Sequence, residues 1–140
     1  MKYLSLIAAI FTGDFFLKNH MEKTLEQGKT KEILKGRILL RKYHNEGACL
    51  NIGEKKAGMV AAVSLLLTAA LSLVFLFTLT KHGRGGLKTG LSLLLGGAYS
   101  NTYDRLKRKH VVDYFSFNVK WKPPRQIVFN LSDFCILIGA

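Results

Sequence analysis

Cysteine, proline and acidic side chains are all scarce in this sequence. The two cysteines, Cys49 and Cys135, are too few for a disulfide framework. Cys135 lies in an apolar run and Cys49 in a loop, so both read as small packed residues rather than a redox pair or metal site. The two prolines, Pro123 and Pro124, stand together and block a helix across that point. Nine Asp and Glu residues face 21 Lys and Arg, a net charge of +12. Such an excess raises nucleic acid as a partner. The cations, however, cluster between apolar runs rather than among aromatic stacking platforms, so anionic membrane lipids are the expected counter-charge and nucleic acid is set aside. His20, His44, His82 and His110 are scattered without ligand spacing and read as interface residues. No metal and no cofactor is expected. The glycine-rich stretch Lys81 to Lys88 lacks the spacing of a phosphate-binding loop and reads as a tight membrane-surface connection.

What the chain has in quantity is long apolar runs. Ala57 to Thr80 contains no charged residue. As a helix it would extend roughly 36 Å, enough to cross a bilayer. Met1 to Phe11 looks like the start of a signal peptide, but no small-x-small cleavage site follows and the apolar run resumes at Phe15, so a retained first span is expected. In the third run Ser92, Gly96 and Ser100 recur every four residues, which lets neighbouring helix backbones approach closely. The last run, Ile127 to Ala140, is short for a crossing and would require a locally thinned bilayer. The expected fold is a membrane all-α protein of one domain, residues 1–140. It has four transmembrane helices at about 3–19, 57–80, 87–104 and 127–140, and outer loops at about 20–56 and 105–126. The stretch Arg37 to Asn51 reads as one or two short strands joined at Asn45-Glu46-Gly47, part of a small extracytoplasmic β-sheet able to receive an extended peptide. Val111 to Trp121 reads as a further extended piece, with Tyr114 and Trp121 suited to the interface. Counting positive charge in the loops favours the opposite orientation to one with the motif-bearing loops outside.

Four aspartates carry the chemistry. Asp113 and Asp133 each stand at the edge of an apolar segment, where an unpaired carboxylate is costly. Two carboxylates from separate segments, held together, share one proton and can act as general base and general acid toward a water. Asn101, Asp104 and Arg105 share one face if the third run continues as a helix. Asp14 and Lys18, at i and i+4, form either an ion pair near the membrane edge or a more direct support. The competing class is a non-enzymatic four-span protein using the aspartates as a proton relay. Its acids belong near the middle of spans, whereas Asp104, Asp113 and Asp133 fall at span ends.

The pattern Gly96-Gly-Ala-x-x-Asn101-x-x-Asp104-Arg105, Val111-Val-Asp113 and Phe129-Asn130-x-x-Asp133 resembles the lipoprotein signal peptidases of bacteria, the type II signal peptidases. Asp14-x-x-x-Lys18 and Asn45-x-Gly47-Ala48 extend the resemblance, and all four aspartates fall on motif positions. The resemblance implies a membrane aspartyl endopeptidase, expected to work as a monomer. It would cut signal peptides from prolipoproteins just before a diacylglyceryl-modified cysteine, with its site at the extracytoplasmic face of the cell membrane and both termini in the cytoplasm. Carried over by position, Asp113 and Asp133 are the catalytic pair. Asn101, Asp104, Arg105 and Asn130 are its polar shell, Asn45 and Gly47 lie near the substrate path, and Asp14 and Lys18 support the first span. The sequence departs from the family pattern at Lys109 and Ser100, where glycine is usual, at Ser132, where alanine is usual, and at Cys49-Leu50.

Overall fold

The structure is a computed structural model that describes residues 1–47, 56–118 and 127–140. Among these residues four helices and three strands follow one another as α1 (Lys2–Thr24), β1 (Thr30–Ile33), β2 (Ile38–Asn45), α2 (Ala57–Leu79), α3 (Gly85–Lys107), β3 (Val111–Phe117) and α4 (Leu131–Gly139).

Helix α2 is apolar all round. It leaves Leu66, Leu73 and Phe77 outward-facing and is long and apolar enough to cross a membrane. Three of its hydroxyls are satisfied within the helix: Thr68, Ser72 and Thr78 each donate to the carbonyl four residues back. Phe75 of α2 packs with Leu91 and Leu95 of α3 in the apolar core, flanked by Tyr3 and Ile7 of α1.

Helix α3 is the hub and packs against α1, α2 and α4. Its small residues make this possible. A side chain at Gly96 would meet Ile10 of α1, and one at Gly97 would meet the Ser132 carbonyl and Ile136 of α4. Ser92 and Ser100 are buried on the same stripe, as the four-residue spacing predicts.

The strands form one antiparallel sheet in the order β1-β2-β3. The turn signal Asn45 to Gly47 stands at the end of β2, and the residues after it, 48–51, lie outside the described residues. The turn that joins β1 to β2 lies earlier, at Leu34 to Arg37, where Leu34, Lys35 and Gly36 all have positive φ. One expectation needs correction here: the last helix is shorter than the apolar run 127–140. Phe129 pairs with Phe115 at the edge of β3, and Asn130 caps a helix of nine residues. Ala48, Cys49, Leu50, Trp121, Pro123 and Pro124 lie outside the described residues.

Candidate active site

Asp113 and Asp133 arrive from different elements and are locked together by three asparagines. The β3 backbone sets the first position. Tyr114 and Phe115 both donate their N–H groups to the Phe129 carbonyl at 3.0 Å, and Phe129 N–H returns to Phe115 at 2.7 Å. The chain therefore enters α4 directly beside Asp113. Asn130 and Asp133 then form a reciprocal cap. Asp133 N–H donates to Asn130 Oδ1 at 2.9 Å, and Asn130 N–H donates to Asp133 Oδ2 at 3.0 Å.

Each carboxylate receives two N–H donors. Asp113 accepts from Asn130 Nδ2 at 2.7 Å and from Asn45 Nδ2 at 3.2 Å. Asp133 accepts from the Asn130 backbone and from Asn101 Nδ2 at 3.0 Å. Gly47 N–H donates to Asn45 Oδ1, which turns the Asn45 amide toward Asp113, and Arg105 fastens the Gly47 carbonyl at 3.2 Å. Burial, reinforced by the negative charge of Asp133, pushes the Asp113 carboxyl up to about 7, against the opposing effect of the Asn45 and Asn130 amides.

Beneath the dyad lies a buried ionic cluster. Lys18 Nζ is 2.9 Å from Asp14 and 3.0 Å from Asp104, with all three side chains shut off from solvent. Asp104 also pairs with Arg108 at 3.0 Å and accepts the Val112 N–H at 3.3 Å, which ties α3 to the start of β3. The ion pair of Asp14 and Lys18, one of the two readings their spacing allowed, is present and lies in the protein interior. Two departures from the family pattern meet at it: Ser100 and Ser132 both donate to Asp14 Oδ2, at 2.6 and 2.5 Å. A third, Lys109, follows the C-cap of α3 with φ +69°, a left-handed backbone that favours glycine.

The ten site residues named from the sequence all fall in this region or directly behind it. Sequence reasoning gave Tyr114 no part in the site. Its hydroxyl accepts the Leu131 N–H at 3.0 Å and lies 3.5 Å from Asp14, so it links the first turn of α4 to α1. The Asn130-x-x-Asp133 spacing, a capping-box pattern, was a readable signal for the bridge that Asn130 makes. His44 and His110 stack at 3.9 Å beside Glu22, away from the dyad contacts; burial first, then His44, lowers the basicity of His110. Among the described residues no three His, Cys, Asp or Glu side chains gather as metal ligands. A groove of about 790 Å³ between α1, α2 and α3 is lined by apolar and hydroxyl side chains and excludes both dyad carboxylates.

The described residues thus combine one helix long and apolar enough to cross a membrane, a helical hub, and two carboxylates brought together where sheet and helix meet. Two solved structures, both described as bacterial membrane enzymes obtained by the in meso method, share this fold. Their TM-scores are 0.83 and 0.80 at 21% identity, covering 99% of this chain and 82% and 86% of theirs. The chain belongs to the signal peptidase II family, whose model matches residues 6–140. It is 30% identical over 143 residues to the lipoprotein signal peptidase of Lactobacillus johnsonii, covering 98% of this chain and 85% of that one. To the lipoprotein signal peptidase of Burkholderia ambifaria it is 34% identical over 139 residues, covering 98% and 80%.

Proposed function

We propose that this chain is a membrane aspartyl endopeptidase that removes signal peptides from diacylglyceryl-modified bacterial prolipoproteins, cutting before the lipidated cysteine. The observation that carries the reading is the dyad itself: Asp113 and Asp133 joined through Asn130, with Asn45 and Asn101 each donating to the remaining oxygen of one carboxylate. In this mechanism Asp113 holds the shared proton and Asp133 is the carboxylate, at a helix N-terminus where negative charge is favoured. Asp133 takes a proton from a water as its oxygen attacks the scissile carbonyl, and Asp113 donates to the carbonyl oxygen. The neutral diol collapses when Asp133 returns its proton to the amide nitrogen. The C–N bond breaks, and a diol proton restores Asp113.

Residues 1–140 act as one domain, with α1 to α4 in the bilayer and the sheet outside. The N-terminus is cytoplasmic and the dyad is extracytoplasmic. Outward-facing Leu4 and Phe16 of α1, Leu87 of α3, and Leu137 and Ile138 of α4 support lipid contact beyond α2. Helix α4 rises only about 14 Å, so it reaches partway into the bilayer from a dyad at its outer end. That depth suits a substrate held at the surface by its lipid. In this reading the enzyme is a monomer. The relay alternative is less well supported, since Asp14 and Asp104 are both neutralised by Lys18.

The test is incubation of the purified protein with a diacylglyceryl-modified prolipoprotein peptide and with its unmodified counterpart. Cleavage immediately before the modified cysteine, with the unmodified peptide left intact, is the expected result. Equal cleavage of both would remove lipid recognition from the account.

A further inference from the structure

Lys18 heads the fully buried side chains ranked by size among the described residues. An ammonium group has donors only. Besides Asp14 and Asp104, its Nζ reaches Asn101 Oδ1 at 2.8 Å and Ser100 Oγ at 3.2 Å. The two carboxylates neutralise the charge, but the Asn101 contact has a separate consequence.

A side-chain amide can face either way round unless a neighbour of fixed polarity decides. Lys18 claims Oδ1 of Asn101, so Nδ2 must face Asp133 Oδ1, 3.0 Å away. The same Oδ1 accepts Asn130 Nδ2 at 3.3 Å, and Asn130 Nδ2 also donates to Asp113 Oδ1 at 2.7 Å. One buried cation therefore sets the direction of a hydrogen-bond chain that reaches both carboxylates. With the Asn101 amide reversed, an oxygen would face the Asp133 oxygen, an arrangement tolerated only if Asp133 carried the proton. The proton would then sit on the wrong member of the pair.

We infer that Lys18 is a positioning residue for the dyad: its ammonium group orients the Asn101 amide so that Asn101 donates to Asp133 and anchors the Asn130 bridge to Asp113. The inference rests on Asp113 and Asp133 being the catalytic pair. Independently of the chain, the Lys18 charge reaches Asp113 and opposes the upward push on its carboxyl.

Lys18 is faced by Asp14 on α1, by Asp104 with its partner Arg108 on α3, by Tyr114 behind Asp14 on β3, and by the dyad across Asn101, with Arg105 beyond. The test compares wild type, Lys18→Met and the charge-balanced double variant Asp14→Asn/Lys18→Met on the lipid-modified peptide, with kcat and KM measured across the neutral pH range. Thermal unfolding in detergent selects the variants that fold. The expected result is a loss of about 10- to 100-fold in kcat, KM within about twofold of wild type, and a displaced pH profile. A folded variant with wild-type kcat and pH profile would overturn the inference while leaving the dyad intact. So would failure of both variants to fold, which assigns Lys18 to the fold alone. A wild type that does not cleave removes the dyad reading and this inference with it.

Discussion

Asn130 donates its side-chain amide to Asp113 at 2.7 Å while its backbone N–H donates to Asp133, so one residue is both the cap of α4 and the bridge between two carboxylates. The two tasks separate in a single substitution. Asn130→Ser keeps a capping oxygen but lacks the reach of the amide. Stability is expected to stay within about 0.5 kcal/mol of wild type, with kcat falling about 10- to 100-fold. Asn130→Ala loses both tasks and costs a further 0.5–2 kcal/mol or so of stability. Thermal unfolding beside peptide cleavage distinguishes the pair.

The Asp113 carboxyl, lifted to about 7, predicts two losses as pH rises. The native state holds this proton where the unfolded chain, with an ordinary carboxylate, has already released it. Stability is therefore unaffected below the ordinary carboxylate range and falls as pH rises from there to about 7, by a few kcal/mol at most. Activity needs the proton and declines above about pH 7. Asp113→Asn has no charge to bury, so above that pH it should unfold at a higher temperature than wild type while being inactive. A mutant less stable than wild type at alkaline pH would contradict this account of the site.

The approach of α3 to α4 gives a steric prediction. A Cβ on Gly97 would lie 2.5 Å from the Ser132 carbonyl oxygen and 2.9 Å from Ile136, forcing α4 and Asp133 outward. Gly97→Ala should cost about 1–3 kcal/mol and lower kcat. Gly86, at the start of the same helix, has nothing within 4 Å of such a Cβ. Gly86→Ala should be neutral or stabilising by up to about 1 kcal/mol, with unchanged activity. Chemical or thermal unfolding of both variants in one detergent makes the comparison.

Lys109 offers a gain. Its backbone has φ +69° just past the end of α3, and its ammonium donates to the Leu106 carbonyl on an exposed surface. Lys109→Gly should raise stability by about 1 kcal/mol without altering kcat. A loss of stability would mean that the Leu106 contact outweighs the backbone strain.

Asp113 and Asp133 were legible because they stand at the edges of apolar segments, whereas positions such as Asn45, Gly47 and Asn130 came from the family resemblance; all ten named residues converge in space. Strand β3 was legible from its alternation, and α2 from its unbroken apolar length. The hairpin turn was not. Leu34 and Lys35 are poor residues for positive φ, and the Asn45-Glu46-Gly47 signal has a task the sequence did not show, aiming the Asn45 amide at Asp113. The start of α4 was misplaced because Ile127, Val128 and Phe129 look like the helix that follows, while Phe129 is held by β3. Burial of Lys18 could not be read from its i, i+4 spacing to Asp14, because the partners that enclose it, Ser100, Asn101 and Asp104, come from a helix more than eighty residues away.

The central claim is that Asp113 and Asp133 together perform the cleavage. The most direct measurement is turnover of the lipid-modified peptide by wild type, Asp113→Asn, Asp133→Asn and the double variant, each shown to be folded. The account predicts that either single substitution abolishes turnover and that the double variant is no worse than either, as expected of groups that act as a unit. A folded single variant that still cleaves at a substantial fraction of the wild-type rate would contradict it.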